Sequence, residues 1–344
     1  MNGNPPNPAK AERRRWQFGL RTLLLFVLFL GVVVGWLANQ WRLVREQQEA
    51  VNALQRLRYL VQYDYEVDSL GQPTRHNGPR APAWARRLLG DACFVEVVRV
   101  TPCDYYLPPS DDVLVHYRGL PGIRHINVYG EQVTDEGLKH LAHLTRLKTL
   151  ELTGTNISDA GLAYLRHLGN LRSLSLLGTH VTDAGLAHLR HLSRLEYLNL
   201  TKTDITGRGL PQLHGLVQLE RLDLAGTHVD DVSLMHLEGL PQLQDLSLNG
   251  TPITDKGLVH IGKLTGLRSL FIGETKVSDA GLAHLHNLTQ LRWLRLGGTG
   301  VSDSGLPHLK GLQALETLSL EYTGTTMTGI EQLQKSLPNT RINR

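Results

Sequence analysis

Two hydrophobic patterns divide the chain. The first is a run from Leu23 to Ala38, sixteen residues without a charge. As a helix it spans about 24 Å, a little less than the roughly 30 Å hydrocarbon core of a bilayer. Phe18 to Leu20 and Trp41 lengthen it. Arg21 is placed to snorkel its charge toward headgroups, and Trp16, Trp36 and Trp41 suit an interface. The pattern predicts a transmembrane signal anchor over residues 23–40, with membrane contact through residues 18–41. A cleaved signal peptide shares the charged start and apolar run, although Trp36 sits poorly for cleavage after Ala38.

The second pattern is periodic. From Leu120 onward it recurs every 24 residues, beginning at Leu120, Leu144, Leu168, Leu192, Leu216, Leu240, Leu264, Leu288 and Leu312. Nine copies without insertion or deletion imply stacked units, each unable to bury its apolar face alone. Within a unit, the alternation of Leu174 and Leu176 predicts a short strand with leucines inward. The following T-x-V-T-D-x-G-L-x-x-L stretch changes to helical spacing, with Leu186, Leu189 and Leu192 on the buried stripe. Ser158, Thr182, Thr254, Ser278 and Ser302 stand where an N-cap belongs, and the aspartate after each suits the helix dipole.

The flanks are less regular. Trp41 to Leu60 reads as an amphipathic helix with Leu43, Val44, Val51, Leu54, Leu57 and Leu60 apolar, and residues 71–82 as a loop. Phe94 to Val100 alternates like a strand, and Leu114, Tyr117 and Leu120 match repeat helix positions. The expected division is a basic tail (1–22), the anchor (23–40) and a helical stalk and linker (41–93). A degenerate capping repeat (94–119), nine repeats (120–335) and a C-terminal cap (336–344) follow. Ile330, Leu333, Leu337 and Ile342 are the apolar residues available to close that end.

Over residues 120–337 the chain resembles leucine-rich-repeat proteins. The T-D-x-G-L signature is similar to the subtype found in F-box partner proteins and in many bacterial proteins. Together with the basic tail and apolar run, it is most similar to bacterial membrane-tethered, internalin-like repeat proteins. The resemblance implies an α/β fold: a curved solenoid with parallel strands on its concave face and short helices on its convex face. The position often held by Asn in the family is Thr in eight copies here, Thr155 through Thr323, with Glu131 in the first. A threonine hydroxyl can still bond the turn backbone, with fewer sites than an amide.

Charge supports the membrane reading. The formal net charge is +4. Lys10, Arg13, Arg14, Arg15 and Arg21 against Glu12 supply all of it, leaving the remainder neutral. No basic surplus is left for a nucleic-acid face. The basic residues precede the apolar run, so the positive-inside rule puts the N-terminus in the cytoplasm and the repeats outside, as a single-pass membrane protein. Cys93 and Cys103 can form one bridge or stay as two thiols; spacing does not decide.

Candidate chemistry is sparse. His140, His188, His236, His260, His284 and His308 share one repeat position, but a column of single histidines does not converge as a metal site requires. Their titration offers proton sensing, since protonating all 16 histidines raises the formal charge from +4 to +20. No nucleophile elbow, zincin motif or phosphate loop is present, so neither catalytic residues nor cofactor nor metal ligands are expected. Binding has better support. The outward strand positions are mostly small and polar, except for Phe271, Trp293 and Arg295, a second, charged group of Arg221, Asp223 and Asp245, and Tyr197. Aromatic and arginine side chains are the types enriched at interface hot spots. The expected partner is a protein or peptide on the concave face. A self-associating envelope protein, and less so an F-box-like substrate adaptor, are the alternatives.

Overall fold

The computed structural model describes residues 20–66, 78–79, 81–102 and 109–344. These fall into two compact units, Met1–Arg45 and Glu46–Arg344. The first unit's described residues are all helical and begin α1 (Leu20–Arg56). Apolar side chains from Leu23 to Trp36 are mostly exposed around the helix, the surface of an element suited to a nonpolar solvent. This helix is long and apolar enough to cross a membrane. The basic tail lies outside the described residues, as do Trp16 and Phe18.

In the second unit the end of α1 packs on the repeat array. Ala50, Val51 and Leu54 are buried, and Gln47 Nε2 donates to the Val95 carbonyl at 3.1 Å. Gly119 is required there, because a Cβ would stand 2.7 Å from the Glu46 carbonyl. The helix stops earlier than the apolar spacing predicts. Arg58 turns the chain with φ 62°, Leu60 already belongs to a strand, and Leu57 and Leu60 are exposed rather than on a buried stripe.

That strand, β1 (Tyr59–Tyr63), runs antiparallel to β2 (Val97–Pro102) and closes the N-terminal edge of a twelve-stranded sheet. Nothing in the period announced it. β2 begins later than Phe94, which sits in a 3₁₀ turn with Cys93, Asp91–Phe94. Cys103 lies outside the described residues, so its pairing does too. The remaining strands are parallel and in chain order. They are β3 (His125–Tyr129), β4 (Thr149–Thr153), β5 (Ser173–Ser175), β6 (Tyr197–Asn199), β7 (Arg221–Asp223) and β8 (Asp245–Ser247). β9 (Ser269–Phe271), β10 (Trp293–Arg295), β11 (Thr317–Ser319) and β12 (Arg341–Asn343) complete the sheet. β12 extends the array beyond the ninth repeat, where Ile330 and Leu333 of the helix Met327–Ser336 and Leu337 just after it are buried.

The repeat leucines form one continuous core. Leu168, Leu171, Leu174, Leu176, Leu186 and Leu189 are all fully buried, and the same holds in most other cycles. With six or seven buried apolar side chains per cycle and only short helices, packing rather than helix propensity holds each turn in place. Each ladder threonine donates within its own repeat: Thr155 Oγ1 bonds the Leu152 carbonyl at 2.8 Å and Thr251 Oγ1 the Leu248 carbonyl at 2.6 Å. The neighbouring repeat is not reached by this hydroxyl.

The aspartate of the T-D-x-G-L signature makes that connection instead. Asp135 accepts from the Ser158 amide at 2.8 Å and from its hydroxyl at 2.5 Å, while Ser158 Oγ accepts from Ala160 N. The cap residue is therefore held by the preceding repeat while it caps its own helix. The signature's glycine follows from the same geometry. A Cβ at Gly257 would stand 2.6 Å from Asp231 Oδ1, and Gly161, Gly185 and Gly281 have the preceding aspartate closer still.

Candidate functional site

The strand register decides which side chains share a face. Tyr197, Arg221, Asp245, Ser269 and Trp293 are successive neighbours across β6 to β10. Asn199, Asp223, Ser247, Phe271 and Arg295 form the adjacent row. Partners in a parallel pair lie about 4.8 Å apart, so each row is a continuous surface. The two groups singled out in the sequence are therefore one. All seven residues line a single open depression of about 500 Å³, with Ser247, Asn249 and Ser269 among its other walls.

Two of the depression's lining residues, Ser247 and Ser269, are small, polar and buried. Short side chains here leave the large ones standing above them. At one end Arg221 lies over the Tyr197 ring, its guanidinium carbon 5.1 Å from the centroid, a cation–π contact that orients both. Asp223 Oδ1 accepts the Ala225 amide at 3.0 Å. Burial, and then the Asp223 charge, push the Tyr197 phenol above its ordinary value, so it remains a hydrogen-bond donor at neutral pH. Asp245 accepts the Ser269 hydroxyl.

At the other end Phe271 and Trp293 are half-buried on β9 and β10. Arg292 covers the Trp293 ring at 4.7 Å and is itself paired with Glu316. Arg295 is half-exposed, with Glu274 at 3.9 Å. The depression thus carries two arginines and two aspartates among its lining residues, with an aromatic pair at one end. Such a surface can take an extended segment with an apolar anchor and charges of both signs.

Two contributors were harder to see. Asn249 accepts the Gly273 amide at 2.8 Å and forms part of the wall. Glu274 occupies a left-handed turn, φ 58°, where the positions 24 residues either side are Gly250 and Gly298. Lys202 and Tyr322 break the same glycine column at φ 54° and 58°. The interruption of that column was the available signal.

The helix-side histidines do not form a common device. His140 is buried, while His260 faces Glu238 at 3.1 Å, beside Lys263. Among the described residues no group of three or more metal-ligating side chains is close enough to hold an ion.

The solenoid and its repeat signature give the chain a leucine-rich-repeat fold similar to that of an internalin. A family model described as Leucine Rich repeat matches residues 143–165. Internalin C2 of Listeria monocytogenes is similar at 25% identity over 64% of this chain and 93% of its own, with a TM-score of 0.51. A second Listeria monocytogenes internalin, inlF, is 22% identical over 72% of this chain and 77% of its own, TM-score 0.49. Comparison with curated protein sequences gives no match.

Proposed function

We propose that this chain is a membrane-anchored, extracytoplasmic scaffold that binds a protein or peptide partner in the depression on its concave, strand-lined face, without catalysis. The observation carrying this reading is the convergence of Tyr197, Arg221, Asp223, Asp245, Phe271, Trp293 and Arg295 on one surface. Half-buried aromatic rings beside small serines offer apolar area whose side-chain freedom is already reduced, which lowers the ordering cost of association. Arg221 and Arg295, held by Tyr197 and Glu274, supply directional donors to a partner's carboxylates or carbonyls.

The anchor part of the proposal rests on the exposed apolar helix and on the basic residues that precede it. It puts the N-terminus in the cytoplasm and the repeats on the opposite side.

The test uses the full chain in uncharged detergent as bait, comparing wild type with Phe271→Ala/Trp293→Ala by quantitative mass spectrometry. A genuine partner is expected to fall roughly tenfold or more with the double variant, about 1.4 kcal/mol or more of binding. A helix-side control, Met235→Ala, should retain it. Equal recovery with all three baits would remove the depression from the binding surface. Protease accessibility of the repeats in intact cells checks the topology.

A further inference from the structure

A second cluster on the strand face lies at its N-terminal end, on β1 to β4. The register places Gln62 opposite Arg99, Arg99 opposite His125, and His125 opposite Thr149. Cross-strand partners project on the same side of a sheet, so these four side chains form one row. Arg124 and Lys148 immediately precede His125 and Thr149. Lys148 N donates to the Arg124 carbonyl at 2.8 Å, so the two residues are neighbours at the entries to β4 and β3, and both charges act on the His125 ring. Three permanent positive charges thus surround one imidazole.

No carboxylate among the described residues pairs with Arg99, Arg124 or Lys148. The contrast with neighbouring cations is direct. Arg146 is paired with Glu96, and Arg172, one strand beyond Lys148, with Glu196. Glu151 on β4 stands opposite Asn127, in the next row of the sheet. Gln62 adds a second peculiarity: its Oε1 is buried without a hydrogen-bond partner. Rotating the amide by half a turn would present its NH₂ at that point instead, which suits an acceptor ligand.

We propose that Arg99, Arg124, Lys148, His125, Thr149 and Gln62 form a binding site for a phosphate or carboxylate group at the N-terminal end of the strand face. The site uses different strands from the depression and stands independently of the function proposed for it. Two guanidinium groups and an ammonium supply charge-assisted donors, and the guanidinium fork fits two oxygens of one oxyanion. The His125–Thr149 pair, 3.1 Å apart, adapts by tautomer. With the threonine hydroxyl donating to Nδ1, the imidazole Nε2–H becomes another donor.

His125 also provides a reporter. Its ring is held well below the ordinary value, at about 4, first by burial and then by Arg99, Lys148 and Arg124. Those cations come from β2 and from the approaches to β4 and β3; Thr149 is the uncharged group bonded to the ring, and Gln62 lies beyond Arg99 in the row. A bound oxyanion would reverse part of the repulsion and raise the midpoint.

The experiment follows the His125 ring carbons by NMR in the full chain in uncharged detergent, assigned by their loss in His125→Gln. The pH titration is run in sodium chloride, sodium pyrophosphate and sodium citrate at matched ionic strength. Pyrophosphate or citrate is expected to raise the His125 midpoint by about one pH unit, a tenfold change in proton affinity, relative to chloride. Arg99→Gln/Lys148→Gln should raise the midpoint in chloride and abolish the response to the two anions. Circular dichroism confirms that this variant is folded. Identical midpoints in all three salts would overturn the proposal, as would an anion response undiminished in the double variant.

Discussion

The joint between Asp255 and Ser278 and the joint between Gly207 and Asp230 occupy equivalent places two repeats apart, yet they are made from different atoms. In the first, Asp255 accepts the Ser278 amide at 2.7 Å and its hydroxyl at 2.6 Å, and Gly281 leaves room for the carboxylate. In the second the aspartate is absent and Ser233 stands in place of the glycine. Its hydroxyl accepts from the Asp230 amide at 3.2 Å and donates to the Asp230 carbonyl at 2.8 Å. A Cβ on Gly207 would fall within 2.4 Å of Ser233 Cβ, so the serine fills the volume that an aspartate would need. The swap shows that the D-x-G part of the signature is a single unit shared between two repeats: acceptor and glycine change together because they contend for one space.

The next joint is weakened differently. Pro252 stands where Asn156, His180 and Lys276 donate a backbone N–H to the preceding repeat, and proline has none to give. Two adjacent joints therefore each lose one cross-link. A cavity lined by Asp183, Arg208, His228 and Asp230 opens beside them.

The strongest way to break the comparison is to put a side chain where the ordinary joint has none. Gly281→Ala sets a methyl against the Asp255 carboxylate and 2.9 Å from Leu258 Cδ1. Asp255 must withdraw from Ser278, and the chain is expected to lose about 2–3 kcal/mol in urea unfolding. Ser233→Ala, which removes only a hydroxyl, should cost about 1 kcal/mol. Equal costs would show that the glycine does not make room for the carboxylate.

Transplanting the exception sharpens the point. In Asp255→Gly/Gly281→Ser the serine should take up the Ser278 amide as Ser233 takes up Asp230. The double variant is then expected to be about 1 kcal/mol more stable than the sum of its two single changes. Recovery stays partial because Gly207 sits at φ 98°, a backbone that the helical start at Asp255 does not share. Strict additivity would mean that Ser233 is no substitute.

Much of this architecture was legible before the structure. A period of 24 without insertion places Trp293 beside Ser269 and Arg295 beside Phe271 as soon as one strand is located. What escaped was whatever the period does not encode. β1 is antiparallel and belongs to no repeat. The aspartate's reach of 23 residues looks like a local cap when one cycle is read alone. The two candidate groups looked separate because Ser247 and Ser269 between them carry no signal of their own, although they line the depression that joins both ends. The partner itself is not encoded by the scaffold, since the fold hosts many specificities.

A smaller effect should appear in hydrogen exchange. The Thr254 amide donates to the Asp231 carboxylate at 2.7 Å, whereas the Asp230 amide donates to a neutral hydroxyl at 3.2 Å. Bonds to charged acceptors are roughly twice as strong. Asp230 is expected to exchange about tenfold faster than Thr254 after correction for intrinsic rates. Comparable protection would mean that Ser233 restores the joint fully.

The smallest effect concerns acid. Asp303 is held below the ordinary carboxylate value by the Thr326 hydroxyl and then by its amide; Asp230 is lowered by hydrogen bonds from Ser233. A carboxyl depressed in the folded state adds stability that is fully present above the unfolded value, 3.8, and is lost as pH falls through the lower folded value. Both joints should therefore weaken in acid although they use the carboxylate differently, one between repeats and one within a repeat. Asp303→Asn and Asp230→Asn should each flatten the dependence of the urea midpoint on pH below about 4, without shifting it at pH 7 by more than their loss of bonding. If only Asp303→Asn flattens the curve, the internal Asp230–Ser233 bond exists equally in the unfolded chain and contributes nothing to the joint.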